Sequence, residues 1–305
     1  MIKKITDGNQ TAYFQNSFKK KLLPDLKAAG PISASLIGEM ANPLKFMTSG
    51  PRAETSDMAW GSLVDMLWLT PQDFDQHVLV IPRDAPKKPT KPQLEAPKPT
   101  AKATESINWW SNFQRRSLGK TVVDEPTLAL AKEAVKMLNT NTLCAYIYDC
   151  CEKQVILSGT TTECHPSSVE LNVKAMMDLL PMRGTIEVDG LDLDLNTCVV
   201  DLKQCHMVSD FGMKKAINTY QYHIKMAWYL RMMRAYGETK RVNAILIFQN
   251  SLPPHDAHVR MIEPEDIERA DNIITQRIDL MGKIDSTDLS NLYDTEVRTI
   301  STSFR

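Results

Sequence analysis

Two strand-like runs that close on charged residues constrain this chain more than anything else in it. In residues 169–181, Val169, Leu171, Val173, Ala175 and Met177 alternate with Glu170, Asn172, Lys174 and Asp178, a period of two that predicts a strand with one apolar face. Residues 197–204 form a second β-branched run that ends in Asp201, Leu202, Lys203 and Gln204. Residues i and i+2 of a strand point the same way, so Asp201 and Lys203 share a face. If the two strands are neighbours, Asp178 joins them. Two hard carboxylates suit Mg²⁺ or Mn²⁺, and a lysine beside them can position or activate water, a combination suited to phosphodiester hydrolysis.

The Asp-x-Lys tripeptide alone is a short motif, and a solvated ion pair at a strand end is its plainer reading. The first carboxylate is also open, because Glu187, Asp189, Asp192 and Asp194 lie between Asp178 and Asp201. Asp178 is preferred because it closes a cleanly alternating strand, and Asp189 is the runner-up.

Further segments narrow the choice. Pro31 to Leu36, followed by Asn42 to Phe46, reads as a short helix capped by Ser33 or Ser35 and ending before Pro43. Trp60 to Phe74 reads as a helix containing Gly61 and then a loop bearing Pro71, and Tyr222 to Leu230 is a tyrosine-bearing helix segment. Together with Asp178 and Asp201-Leu202-Lys203, these segments resemble the PD-(D/E)XK nucleases, specifically the RecE-like (exonuclease VIII) branch of phages and prophages. The likeness runs over most of the chain.

The resemblance implies an α/β fold, a PD-(D/E)XK nuclease core with a mixed central β-sheet flanked by helices. It implies a metal-dependent DNA exonuclease, with Asp178, Asp201 and Lys203 catalytic. Asp178, Asp201, the Leu202 carbonyl and Asp65 would hold Mg²⁺ or Mn²⁺. Lys225, Gln221 and Tyr222 would meet the substrate. The family usually carries a histidine where Asp65 stands and a glutamine where Lys225 stands. Asp65 can still bind a hard cation, whereas a protonated Lys225 cannot ligate one and suits a phosphate. The resemblance also implies a double-stranded DNA end as substrate, a 3′ overhang as product, a single-strand annealing protein as partner and a ring-like homo-oligomer. A catalytically impaired DNA-binding or protein-interaction module on the same fold, and an endonuclease with the same site, are the alternatives.

With 305 residues, 43% of them apolar, the chain can bury a full core in one elaborated domain or two small ones. A net charge of −1 does not advertise a nucleic-acid binder, although positive charge confined to one groove would suffice. The six cysteines form no C-x-x-C pair, which argues against a zinc or iron–sulfur centre and for reduced thiols. No apolar run reaches membrane-spanning length and the N-terminus is polar, so a soluble protein of the cytoplasm is expected, the bacterial host cytoplasm if the chain is phage-encoded.

Three parts are expected: residues 1–81 as an N-terminal helical part of the nuclease domain, 82–106 as a Pro/Lys-rich linker or insertion loop, and 107–305 as the nuclease core. The middle part interleaves six prolines with Lys87, Lys88, Lys91, Lys98 and Lys102. Helical patterns are read at residues 12–29, 56–69, from 107 onward, 126–138, 213–236 and 264–284. Residues 144–148 and 154–158 are expected to form a hairpin, 185–195 an acidic one, and 242–249 with 257–262 a further strand pair. The tandem Trp109-Trp110 reads better as packing than as a base-stacking surface, His255 and His258 as loop histidines on the surface, and residues 286–305 as an arm or tail.

Overall fold

The computed structural model describes residues 1–5, 18–23, 25–50, 55–285, 288–289 and 292. Residues 12–17 and 24 of the first expected helix, and nearly all of the tail at 286–305, lie outside them. In chain order the principal elements are β1 (Ile2–Ile5), α1 (Ala34–Glu39), α2 (Ser56–Leu69), β2 (Val78–Ile81), α3 (Ala101–Arg116), β3 (Thr121–Asp124), α4 (Glu125–Thr140) and α5 (Thr142–Asp149). Then come β4 (Cys151–Thr161), β5 (Leu171–Pro181), β6 (Thr185–Val188), β7 (Leu191–Asp194), β8 (Cys198–Cys205), α6 (Asp210–Tyr220), α7 (Tyr222–Tyr236), β9 (Asn243–Asn250), β10 (Ala257–Met261) and α8 (Pro264–Met281).

The central sheet has the order β1-β4-β5-β8-β9-β10. It is mixed: β8 and β9 run parallel, and the other neighbours are antiparallel. Both of its faces are covered, so β8 from Cys198 to Leu202 and β9 from Ala244 to Phe248 are buried without interruption, the pattern of strands sandwiched between layers. One core joins α1, α7 and α8 to the sheet, and a second joins α2, α4 and α5 to its other face. The expected α/β architecture, a mixed sheet flanked by helices, is therefore the one formed.

Three local expectations are corrected. Residues 142–149 form a helix, not the first strand of a hairpin. Asn141 caps it by accepting from the Cys144 N–H at 3.1 Å, and Cys144 and Ile147 fall on one buried face. An apolar run this short fits either period, and the cap decides it. Residues 213–236 form two helices, α6 and α7, broken at Gln221, which takes left-handed angles (φ 55°, ψ 42°). The segment after Ile81, expected as a linker or an insertion loop, runs between two paired strands. β2 and β3 pair in parallel, so residues 82–120 are an excursion that leaves the end of β2 and returns beside its beginning. It folds back on α3, where Trp110 Nε1 donates to the Pro86 carbonyl at 2.8 Å and Ser106 Oγ to the Lys87 carbonyl at 2.6 Å. Finally, His255 is buried and its ring stacks on Trp60 at 5.8 Å. His258 lies in β10 beside Asp256 at 3.1 Å.

The strands that carry the charged residues are held from behind by Arg241, which is 2% exposed. Its guanidinium donates to the Cys198 carbonyl and the Pro181 carbonyl, both at 2.8 Å, so it joins the start of β8 to the end of β5. Charged hydrogen bonds to buried carbonyls are each worth about 1.5–3 kcal/mol, and their loss leaves the acceptors unsatisfied. Arg241→Ala is expected to cost about 3 kcal/mol. A urea midpoint unchanged from the parent would contradict this.

Candidate active site

Strands β5 and β8 meet through the pair Leu179–Val200. One step further along β8, the Leu202 N–H donates not to the β5 backbone but to the Asp178 carboxylate, at 3.1 Å. The side chain thus takes over a ladder bond at the point where both strands present acids, and Asp178 and Asp201 come to face each other across the sheet. Asp201 is completely buried. Its two carboxylate oxygens face two ammonium groups: Lys203 on one side, and Lys225 at 3.0 Å on the other. Lys203 Nζ also donates to the Leu202 carbonyl at 2.9 Å.

Lys225 reaches this position from α7. Trp228 Nε1 donates to the Lys174 carbonyl at 3.1 Å and the Tyr229 hydroxyl to the Met176 carbonyl at 2.5 Å, which fasten the helix onto β5. Lys225 then lies one turn before Tyr229, its ammonium 5.4 Å from that ring. Side-chain exposure is 13% for Lys203 and 32% for Lys225, so Lys225 is the more open of the two. Asp65 comes from α2. Thr55 caps that helix, and α2 is anchored by Leu63, Val64 and Trp68 in the second core. Trp60 Nε1 donates to Gln204 Oε1 at 3.3 Å, which ties α2 to the strand bearing Lys203.

The charges are strongly coupled. Burial, then the nearby Asp201 charge, holds the Asp178 carboxyl well above the ordinary range. Burial also lifts Asp65 to about 7, against the pull of Lys203 and Lys225. Asp201 goes the other way. Burial opposes its charge, but the ammonium groups of Lys203 and Lys225 outweigh that and hold it below the ordinary carboxylate value. Burial likewise works against the Lys225 ammonium, and Asp201, Tyr229 and Asp178 more than offset it. One carboxylate here is firmly ionised, and burial together with its negative charge holds two neighbours toward the neutral form.

Among the described residues, no three His, Cys, Asp or Glu side chains gather into a ready metal cage. The donors present at the strand ends are Asp178, Asp201 and the Leu202 carbonyl, all oxygen, with Asp65 acting on them from α2. That set fits Mg²⁺ or Mn²⁺, which take one or two carboxylates and keep waters for the remaining positions. The other expected residues are placed as follows. Tyr222 lies beneath Lys203, whose ammonium is 5.3 Å from its ring centre. Gln221 is engaged elsewhere: its Oε1 accepts from Arg277 at 2.5 Å and its Nε2 donates to the Gly38 carbonyl at 3.4 Å. Asp189 forms the turn of the β6–β7 hairpin with Gly190, both at positive φ, a sharp reversal that an Asp-Gly pair favours. It is not among the charges that act most strongly on Asp201.

The family model described as "PDDEXK-like domain of unknown function (DUF3799)" matches residues 39–291. No curated protein matches the chain. Among solved structures, a protein from Eubacterium rectale described as "Putative exonuclease" is similar in fold at 13% identity, with a TM-score of 0.50, over 97% of this chain and 96% of that one. A "phage related exonuclease" from Haemophilus somnus 129PT shares 13% identity over 63% of this chain and 87% of its own, with a TM-score of 0.27. The matched segment spans α2, β5, β8 and α7, every element that contributes to the charged cluster, and the chain belongs to the PDDEXK-like family DUF3799.

Proposed function

We propose that this protein is a metal-dependent deoxyribonuclease that degrades double-stranded DNA from its ends. One observation carries the reading: Asp178, Asp201 and Lys203 converge where β5 and β8 part, on a PDDEXK-like fold. Asp178, Asp201 and the Leu202 carbonyl would hold Mg²⁺ or Mn²⁺, with Asp65 supplying further negative charge. A bound divalent cation would polarise the phosphate and lower the pKa of water at that point. Lys203 would orient the attacking water or a phosphate oxygen, and Lys225, closer to solvent, would neutralise charge on the substrate. The family resemblance and the description of the Eubacterium rectale structure as an exonuclease favour end-dependent cleavage. By the same resemblance, the product would be a 3′ overhang for recombination or phage DNA metabolism, handed to a single-strand annealing protein in a bacterial cytoplasm, and the active form would be a homo-oligomer. Among the described residues, no helix is long and apolar enough to cross a membrane.

The test is incubation of end-labelled linear duplex DNA with Mg²⁺, Mn²⁺ or EDTA, beside the same DNA as a closed circle. Cation-dependent loss of the linear form alone supports an exonuclease. Loss of both forms would make it an endonuclease with this site. DNA binding with no cleavage would make it an impaired nuclease-fold module, and Lys225, whose ammonium sits on Asp201, would be the first residue to change to glutamine.

The excursion at residues 82–120 carries nine lysines and arginines against three acidic residues in a chain of net charge −1. Of its basic side chains, Arg83 and Lys91 are in ion pairs, with Glu125 and Glu95, and both pairs are long and exposed. Each phosphate contact contributes a counterion-release slope of about −0.9 in log K against log salt on duplex DNA. Replacing Lys87, Lys88, Lys98 and Lys102 by glutamine is expected to flatten the slope by about 2–4 and to leave stability unchanged. An unaltered slope would reduce the segment to an exposed flap.

A further inference from the structure

Two tyrosines that a continuous helix would hold apart are brought face to face beside the charged cluster. Side chains at i and i+2 of an α-helix point about 200° apart, since each residue turns the chain by about 100°. Tyr220 ends α6 and Tyr222 begins α7, and the left-handed backbone of Gln221 between them breaks the helical sense. Their rings stack, with centroids 5.6 Å apart and planes inclined by 24°.

The break is secured by specific bonds. A non-glycine residue at positive φ needs local compensation, and Gln221 has it: its side chain bridges Arg277 and the Gly38 carbonyl, and Arg277 also donates to the Ile37 carbonyl at 3.1 Å. The end of α1 and Arg277 of α8 thus hold this one turn in place. Its product is a column of rings. Phe248 is fully buried in β9, directly beside Lys203 in the sheet register. Tyr222 packs on Phe248 at 6.3 Å, under the Lys203 ammonium. Tyr220 caps the column and is 60% exposed.

A large aromatic side chain left this open, on a backbone held against its ordinary preference, adds little to the core. What it offers is a flat apolar face one ring further out than Tyr222, which itself lies 5.3 Å from the lysine of the cluster. Nucleobases stack on such faces without regard to sequence. We propose that Tyr220 is a stacking platform for an unpaired nucleobase of the strand presented to Asp178, Asp201 and Lys203. Tyr222 transmits the position of that base to Lys203, and Gln221 sets the platform's angle. A base can reach Tyr220 only when its partner strand has been peeled away or is absent. The site therefore takes a single strand, or one frayed from a duplex end, in preference to an intact helix. This inference rests on the nuclease reading for the identity of the ligand, and its test is separable from that reading.

The test uses the full chain and short single-stranded oligonucleotides carrying the fluorescent base 2-aminopurine at one terminus or the other, in EDTA so that nothing is cut. Stacking quenches the probe. Tyr220→Ala is expected to bind the probe terminus that wild type quenches about ten-fold more weakly and to lose the quench. Tyr220→Phe should retain both, because the ring and not the hydroxyl stacks. An oligonucleotide lacking the terminal base should bind wild type and Tyr220→Ala equally. Equal affinity and equal quench for wild type and Tyr220→Ala would overturn the platform, as would a wild-type chain that does not bind either probe. A change in oligomeric state without a change in quench would also overturn it and mark Tyr220 as a protein contact. If wild type degrades DNA while Tyr220→Ala is unaffected on every probe, the platform fails and the nuclease stands. A Tyr220-dependent quench without cleavage under any cation gives the reverse.

Discussion

Asp201→Ala is expected to reduce DNA cleavage by at least about a thousand-fold, a loss of roughly 4 kcal/mol of transition-state stabilisation. The geometry makes this residue the pivot of the site. It is the one carboxylate of the cluster held below its ordinary pKa, and both Lys203 and Lys225 direct their ammonium groups at it. On the proposed reading its removal would delete a cation ligand, and it leaves two largely buried positive charges facing each other. A stability penalty should therefore accompany the loss of activity, about 1–3 kcal/mol given that both lysines retain some contact with water. Asp201→Asn keeps the volume and separates the two effects: it should recover part of the stability and none of the activity. The measurement is single-turnover degradation of linear duplex DNA by each variant, with a urea titration of the same preparations. Cleavage within ten-fold of the parent by either variant would show that the chemistry lies elsewhere.

The sheet and most of this site can be read from the sequence because both depend on period-two alternation against a buried face. The alternation of residues 169–177 places Asp178 at the end of β5, and the two-residue spacing of Asp201 and Lys203 places them on one face of β8. The structure adds the reason the two strands bring these groups together: the Leu202 N–H bonds to Asp178 in place of a backbone carbonyl. Lys225 is harder to place, because its position over Asp201 is set by Trp228 and Tyr229 bonding to β5, contacts between residues far apart in the chain. The break at Gln221 carries no glycine or proline to announce it. It is imposed by Arg277 and Gly38, more than fifty residues distant in either direction. The four-residue strands β1, β2 and β3 are too short to show a period, and they gain their partners only through long-range pairing. The burial of His255 has the same origin, since its stacking partner Trp60 comes from α2.

Addition of Mg²⁺ or Mn²⁺ is expected to raise the melting temperature by several degrees at pH 8 and by almost nothing at pH 5. The sign follows from which groups hold protons. Asp65 and Asp178 have folded pKa values above their unfolded ones. Below about pH 3.8 each is protonated in both states and costs nothing. As pH rises from there, the unfolded chain releases protons that the folded chain keeps, so these groups erode stability, until Asp65 ionises in the folded state near pH 7. For Asp65 the rise from 3.8 to about 7 corresponds to roughly 4 kcal/mol as an upper figure. Asp201 acts oppositely: its depressed value contributes stability at neutral pH that disappears only in strong acid. A divalent cation binds the deprotonated acids and competes with their protons, so its stabilisation grows over the interval in which the cation-free protein weakens. At a hundred times its dissociation constant a ligand contributes about 2.7 kcal/mol, enough for a shift of several degrees in a chain of this size. The check is a set of thermal melts between pH 5 and pH 8, with EDTA or with either cation. Asp178→Asn should flatten the cation effect at pH 8, whereas Asp189→Asn should leave it intact. If only Asp189→Asn flattens it, the first ligand lies on the β6–β7 turn and β5 supplies none.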